Sequence, residues 1–257
     1  RNAKMAFITA ETRSDIIELV VGMLGTAPSA TLMAELTAAV NGGKSLPELA
    51  EHIAASTAYT TKFPVGQTAK EVAADILDGA TAGGVMTADI RTALIDLIAA
   101  GLTAGTFTTA SASYAVVDFL SNSANNENDD FGDVAKAFQN RGAAAVDYTV
   151  TITLEGTTST AAELAAALEG VTSDAATLTA AKAAYAAGSK SIAAQAAVDA
   201  AAAQKVIDDA AAQKVIDDAA AAQKVIDDAA AAQKVIDDAA AAQKVIDDAA
   251  AAQKVID

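Results

Sequence analysis

Oxygen-bearing side chains are concentrated in one short stretch of the chain, residues 121–133, with the sequence Ser-Asn-Ser-Ala-Asn-Asn-Glu-Asn-Asp-Asp-Phe-Gly-Asp. Calcium binds about six to eight oxygen atoms from carboxylates, amides and carbonyl groups, so this composition suits it. The candidate ligands are Asn126, Asn128, Asp130 and Asp133. The sequence therefore predicts a calcium-binding loop at this place, and calcium is the one cofactor that we expect.

The spacing within this stretch differs from that of an EF-hand. Counted from Asn126, the sixth position is Phe131, where the EF-hand turn needs Gly. The twelfth position is Ala137, where an EF-hand has a bidentate Glu. The alternative interpretation is a solvated loop in which an Asn or Asp side chain caps the next helix. The residues alone leave both interpretations open.

A second candidate for chemistry is His52, the one histidine of the chain, with Glu48 four residues before it. Such a pair could exchange protons or supply half of a metal site, but a zinc-protease motif needs a second His. A structural His at or near the surface is the alternative. We expect no enzymatic activity, because no nucleophile has a supporting base beside it; a hydrolase that uses His52 is the weakest hypothesis.

Composition and charge exclude several functional classes. The 257 residues include 17 basic and 33 acidic side chains, with a formal charge of −16, whereas a nucleic-acid-binding protein normally presents a basic face. The lack of Cys excludes thiolate catalysis, Cys-ligated zinc, iron–sulfur clusters and disulfides. No transmembrane segment is expected, since no run of about 18 apolar residues occurs.

Residues 5–150 contain repeated units of a capping signal, an apolar stripe and a glycine. One stripe occupies residues 13–24, and capping boxes at Ser45 and Thr68 begin two further helices. Other stripes lie within residues 32–40, 88–100, 114–120 and 134–138. The glycines expected to end helices are Gly25, Gly42, Gly79 and Gly101. We therefore predict a mainly α protein whose N-terminal domain, residues 5–150, is a compact multi-helix unit.

Residues 151–190 are simpler in composition and rich in Ala and Thr, which predicts a helical connector. We expect a short strand or extended link where it begins, because residues 148–154 alternate strictly between apolar side chains and Thr. A capping box at Thr160 begins a helix, and Ser173 or Asp174 is expected to cap the next one.

Residues 191–257 form a repetitive tail without Gly or Pro. The unit Gln-Lys-Val-Ile-Asp-Asp-Ala-Ala-Ala-Ala recurs with Gln at positions 204, 213, 223, 233, 243 and 253. The Ala content predicts a long helix. Ten residues turn by about 1000°, which is about 80° short of three turns, so the Val-Ile pairs spiral around the helix. A long two-stranded coiled coil is therefore disfavoured.

Three alternatives for this tail remain open. It could be segmented, it could be a helix with different neighbours along its length, or it could be a flexible exposed region. The paired Asp residues of the repeats are expected to form a solvated acidic face, because adjacent side chains on a helix diverge and do not chelate a cation well.

Five short motifs lie between residues 5 and 155. They are Met5-Ala-Phe-Ile-Thr-Ala-Glu11, then Leu24-Gly-Thr-Ala-Pro-Ser-Ala30 followed by a helix and Gly42-Gly43, then Leu49 to Pro64 with Ser56-Thr-Ala-Tyr59, then Phe119-Leu-Ser-Asn122, and Ala137-Phe-Gln-Asn-Arg141. Together these motifs resemble the N-terminal region of Caulobacter-type S-layer proteins and related RTX-secreted surface proteins.

This resemblance implies a structural protein at the cell surface of a Gram-negative bacterium. It implies that a helical N-terminal domain holds a surface layer to outer-membrane lipopolysaccharide, that copies of the protein self-assemble with calcium, and that export follows the type I route. Tyr59 and Tyr114 are candidate sugar-stacking residues, with core packing as the alternative. Since the tail has no counterpart in that family, a subunit of an extracellular filament or tube is the alternative function.

Overall fold

The computed structural model describes residues 8–153, 156 and 158–256, with side chains through residue 245. Every regular element in this described part is helical, which confirms the prediction of a mainly α fold. The α-helices are α1 Ala10–Leu24, α2 Ala30–Asn41, α3 Leu46–Ala54, α4 Thr57–Thr60, α5 Ala69–Thr81, α6 Ala88–Ala104, α7 Thr109–Ser121, α8 Gly132–Tyr148, α9 Ala161–Ala166, α10 Ala175–Ala186 and α11 Ile192–Ile256. A 3-10 helix, Ser123–Glu127, precedes α8, and a π-helix, Thr149–Thr153, follows it.

The chain divides into two compact units, one ending at Ala197 and the other beginning at Val198. The first unit includes the whole of the expected connector, residues 151–190. Apolar side chains of the connector, such as Leu168 and Ala184, are buried in the same core as α1. Tyr185, for example, is 0% exposed, and its ring packs edge-on against Tyr148 with 5.2 Å between the ring centroids. The division therefore falls after the boundaries near 150 and 190 that composition suggested.

Helix α1 lies at the centre of the first unit and contacts α3, α5, α7 and α8. Its buried apolar side chains are Ile16, Ile17, Leu19, Val20, Val21 and Met23, each at most 1% exposed. A helix that is apolar around most of its surface is stable in water only when other helices cover it. The surrounding helices are therefore arranged about α1.

The helix starts follow the predicted capping signals. The capping boxes at Ser45, Thr68 and Thr160 are present and begin α3, α5 and α9. Of the two candidates for the start of α10, Asp174 is the N-cap, and its side chain accepts from the backbone N–H of Ala176. Each cap provides an acceptor for backbone N–H groups that have no partner within the first turn.

Glycine ends some helices as predicted and not others. Gly25 ends α1 in the left-handed conformation, with a φ of 76°. In contrast, α5 continues two residues past Gly79, and α6 passes through Gly101. A Cβ on Gly101 would lie 2.2 Å from Cδ2 of Phe107, so the missing side chain gives room for the Phe107 ring. Gly101 therefore serves packing rather than helix termination.

The predicted strand at residues 148–154 is wrong. Helix α8 extends to Tyr148, and the π-helix Thr149–Thr153 follows directly. The hydroxyl of Thr149 donates to the carbonyl of Ala145 at 2.7 Å, as helical Thr side chains do. A single strand would leave its backbone N–H and C=O groups without partners, whereas a helix pairs them within the segment. Leu154, the last residue of the predicted strand, lies outside the described residues.

The second unit is the part of α11 from Val198 onward, an uninterrupted helix whose described side chains are all exposed. In each of four repeats, the Gln amide and the Lys ammonium both donate a hydrogen bond to the carboxylate of the Asp four residues ahead, at 2.6–2.8 Å. The neighbouring Asp residues therefore have separate partners. Among the helices described, none combines the length and the hydropathy that crossing a membrane requires.

The cap of α5 gives a direct test of this helical arrangement. We expect Thr68→Ala to lower the free energy of unfolding by about 1 kcal/mol, because the N–H of Glu71 loses its side-chain acceptor. Thr92→Ala is the matched control, since Thr92 lies inside α6 and its hydroxyl only donates back to the carbonyl of Ala88. Urea unfolding of both variants measures the difference, and equal effects would contradict the assigned cap.

Candidate functional site

The predicted calcium loop lies between α7 and α8 and is built around the 3-10 helix. The side chain of Asn122 accepts from the N–H of Ala124 at 3.0 Å and begins this short helix. The amide of Asn125 donates to the carbonyl of Phe119 in the last turn of α7 at 2.6 Å. Local hydrogen bonds thus fold the oxygen-rich stretch back onto the end of α7.

The side-chain oxygens of two of the four candidate ligands, Asn126 and Asn128, accept hydrogen bonds from other groups of the protein. Asn126 and Gln139 form a reciprocal pair, in which each amide donates to the oxygen of the other at 2.9 Å. The side-chain oxygen of Asn128 accepts from the N–H groups of Asp130 and Phe131 at 2.8 and 3.0 Å. The Asn128 contacts have the geometry of an Asx turn directly before α8. The alternative interpretation also expected an Asn or Asp side chain to cap this helix, but its N-cap is Phe131, without a side-chain cap hydrogen bond.

The other two candidates, Asp130 and Asp133, are exposed and differ in their contacts. One carboxylate oxygen of Asp133 accepts from the N–H of Val85 at 2.5 Å. Next to it, a Cβ on Gly84 would lie 2.5 Å from the Cα of Val134, so only glycine allows the loop after α5 to approach α8 this closely. Asp133 therefore fixes this loop to the first turn of α8.

The four candidates do not form a preassembled carboxylate cage. Within the described residues, no group of three or more His, Cys, Asp or Glu side chains is positioned to hold a metal ion. Three of the four oxygen-bearing side chains have hydrogen-bonding partners in the protein. Calcium binding at this loop stays a prediction. It would require the side-chain oxygens of Asn126 and Asn128 to leave their present hydrogen bonds and bind the ion instead.

His52 and Glu48 do not act as a pair in this structure. His52 is exposed in the last turn of α3. The carboxylate of Glu48 accepts from the N–H and the hydroxyl of Ser45 at 2.8 and 2.7 Å, and the backbone hydrogen bond is the main reason that the pKa of Glu48 is lowered. Glu48 is therefore used to begin α3, and the geometry gives His52 a surface position.

Of the two candidate sugar-stacking residues, Tyr59 packs in the core. Its side chain is 2% exposed, and its hydroxyl donates to the carbonyl of Thr109 at 2.9 Å. The hydroxyl is also 2.8 Å from that of Ser113, and burial raises the pKa of Tyr59. Tyr114 is half-buried, so part of its ring is accessible at the surface.

The sequence interpretation missed two cations inside the first unit, the buried Arg141 and the partly buried Lys62. Arg141 is 4% exposed, and burial lowers its pKa to about 10. Its guanidinium donates to three carbonyls, those of Gly25, Gly79 and Ala82, at 3.2–3.4 Å. Among the residues that the structure describes, no carboxylate forms an ion pair with Arg141.

Helical periodicity offered a signal for Arg141. Arg141 follows Phe138 by three residues and precedes Ala145 by four, so it lies on the apolar stripe of α8. The ammonium of Lys62 donates to the carbonyl of Met23 at 2.7 Å, and burial lowers its pKa as well. A basic residue on a buried stripe indicates that its charge is balanced by groups inside the fold.

Comparisons with protein families, with curated proteins and with solved structures each give no match to this chain. The resemblance to surface-layer proteins therefore rests on the short sequence motifs, and the functional interpretation rests on the geometry of the chain itself.

The roles of the two loop carboxylates can be separated by substitution. In calcium-free buffer we expect Asp133→Ala to lower the free energy of unfolding by about 1 kcal/mol, because the N–H of Val85 loses its acceptor. Asp130→Ala is the matched control and is expected to leave stability unchanged. Urea unfolding gives both values, and a larger loss for Asp130→Ala would contradict the assigned roles.

Proposed function

We propose that this chain is a non-enzymatic structural subunit of a cell-surface layer of the S-layer type on a Gram-negative bacterium. Residues 5–150 form its anchoring and assembly domain. The protein is exported by the type I route, assembles with copies of itself outside the cell, and uses calcium in doing so. The short motifs between residues 5 and 155 support the family assignment, and the tail supports self-assembly.

The observation that carries the proposal is the exposure of the repeated Val-Ile pairs on α11. Val206 and Ile207 are 68% and 62% exposed, and the pair at Val235 and Ile236 is 69% and 61% exposed. Burying one such side chain is favourable by about 1.5–3 kcal/mol. Because each repeat presents the same Val-Ile pair, several such contacts can form along one tail, which increases the overall affinity.

The Val-Ile pairs point in several directions. Pairs ten residues apart are separated by about 15 Å along the helix axis and rotated by about 80°. The nine-residue interval between Val206 and Val215 places those two on roughly opposite sides of the helix. A single tail therefore offers contacts to several neighbouring chains, as a layer or a filament requires.

Charge explains why such an assembly would respond to ions. Each ten-residue repeat has one Lys and two Asp, which gives a net charge of −1. Identical tails repel one another at low ionic strength. At physiological salt concentration, the repulsion between charges more than about 8 Å apart is largely screened. Divalent calcium neutralises carboxylates more effectively than a monovalent salt, so calcium is expected to favour association.

Attachment to lipopolysaccharide is the part of the proposal assigned to residues 5–150. Both the protein, with its charge of −16, and the lipopolysaccharide are acidic, so they repel at long range. Contact therefore needs calcium bridges or uncharged sugars. The exposed carboxylates of Asp130 and Asp133 are candidates for bridging, and the accessible part of Tyr114 is a candidate for sugar stacking.

A second candidate function is a subunit of an extracellular filament or tube. The specific observation that favours it is the length of α11, 65 residues without interruption. A helix of this length extends for about 100 Å and can follow a fibre axis past more than one neighbour. Layer and filament share the same self-association and differ in its symmetry.

Negative-stain electron microscopy of the purified full chain, with and without calcium, tests this proposal. We expect ordered sheets or fibres with calcium and fewer of them after chelation, because calcium reduces the repulsion between tails. Sheets favour the layer and fibres favour the filament. Monomers at every calcium and protein concentration would contradict self-assembly.

Variants of the tail test whether the Val-Ile pairs form the surface through which the chains assemble. Replacing Val225, Ile226, Val235 and Ile236 with Gln removes two apolar pairs and is expected to abolish or greatly reduce the assemblies. The control replaces four exposed alanines of the same repeats with Gln, namely Ala220, Ala221, Ala230 and Ala231. Equal loss of assembly in both variants would remove the assigned role of the Val-Ile pairs.

A further inference from the structure

A cavity of about 230 Å³ opens between α5, α6, α7 and the start of α8. Its base is formed by core side chains, including Leu77, Leu120 and Val134, each at most 2% exposed. Its mouth reaches the surface at Leu97 and Phe119, which are 64% and 42% exposed. The cavity is thus a pocket with a buried end and an open end.

The lining of this pocket is almost entirely hydrocarbon. Within the part of the chain that the structure describes, no charged side chain lines it, and Thr81 supplies the one side-chain hydroxyl. That hydroxyl already donates to the carbonyl of Leu77 at 2.9 Å. An ordered water needs about two to four polar partners, so water inside this pocket is poorly held and is readily displaced by an apolar group.

The arrangement of α6 accounts for the opening. Helix α6 packs extensively along α5 and contacts α7 over a short part of its length. The ring of Phe107, in the connection between α6 and α7, lies against Gly101 and forms one wall. Phe119 and Phe131 form another wall, with their rings edge-to-face and 5.4 Å between centroids.

We propose that this pocket binds a small uncharged hydrocarbon group, of the size of one six-membered ring or a short alkyl chain. The volume supports the size, because an engineered apolar cavity of about 150 Å³ accommodates benzene and this one is larger. The lining supports the chemistry, because a charged or strongly polar ligand would lose its hydration without gaining hydrogen bonds. This inference is independent of the proposed surface-layer function.

Benzene and cyclohexane, titrated into the full chain, are suitable probes. Methyl NMR is expected to show shifts for Leu77, Ile98, Leu120 and Val134, which line the pocket, and none for Val65, which is fully exposed elsewhere. The thermal unfolding midpoint is expected to rise with probe concentration, because the ligand binds the folded state.

Two exposed alanines provide a matched pair of variants. Ala115 on α7 lines the mouth of the pocket, and Ala93 on α6 does not line it. Ala115→Phe is expected to weaken benzene binding by at least about tenfold, because the new Phe ring takes up space at the mouth of the pocket. Burying one ring contributes several times RT, so its exclusion is measurable. Ala93→Phe is expected to leave it unchanged. Circular dichroism and unfolding midpoints of both variants check that they are folded.

Three results would overturn the inference. One is the lack of pocket methyl shifts up to the solubility limit of both probes, and another is equal binding by the two variants. The third is a concentration-dependent dimer, seen by sedimentation, that Ala115→Phe disrupts and Ala93→Phe does not, because this would assign the pocket to a second copy of the chain.

Discussion

The buried guanidinium of Arg141 is the constraint on which the first unit depends. A buried charge without a carboxylate beside it has to be stabilised by dipoles, and the acceptors here are carbonyls in the last turn or cap of α1 and α5. The C-terminus of a helix carries roughly half a negative charge, so two helix ends directed at one cation provide a counter-charge. Lys62, on the carbonyl of Met23, adds a second cation at the end of α1.

Several other features follow from this arrangement. With the ends of α1 and α5 held against α8, the short loop after α5 comes close to the first turn of α8. There Gly84 allows the close approach and Asp133 accepts from Val85. The same placement of α5 and α8 defines the base of the apolar pocket, which α6 and α7 leave open at its mouth. The oxygen-rich loop and the pocket thus lie next to each other, and both depend on the packing of α1 and α5 against α8.

Local signals in the sequence predicted the helices well and their assembly poorly. The capping boxes at Ser45, Thr68 and Thr160 depend on residues three positions apart, so the chain itself encodes them. The alternation at 148–154 was misleading because the segment continues as a π-helix, which buries Thr149, Ile152 and Thr153 and leaves Val150 42% exposed, so residue type does not follow burial there. The partners of Arg141 lie 59 to 116 residues away, and no local pattern identifies them. The candidate calcium loop lies between α7 and α8, and its calcium binding stays a prediction. The hydrogen bonds of Asn126 to Gln139 depend on the return of α8, which the local sequence does not reveal.

The most direct test compares two arginines by urea unfolding. Among the described residues, the buried Arg141 is bonded only to carbonyls, whereas Arg91 is exposed and forms two hydrogen bonds with the carboxylate of Asp78, one of them at 2.8 Å. Arg141→Met leaves three carbonyls without their donor and is expected to lower the free energy of unfolding by at least about 2 kcal/mol. Arg91→Met is expected to have little effect, since exposed ion pairs contribute little. A loss for Arg91→Met equal to or larger than that for Arg141→Met would contradict the central role of the buried guanidinium.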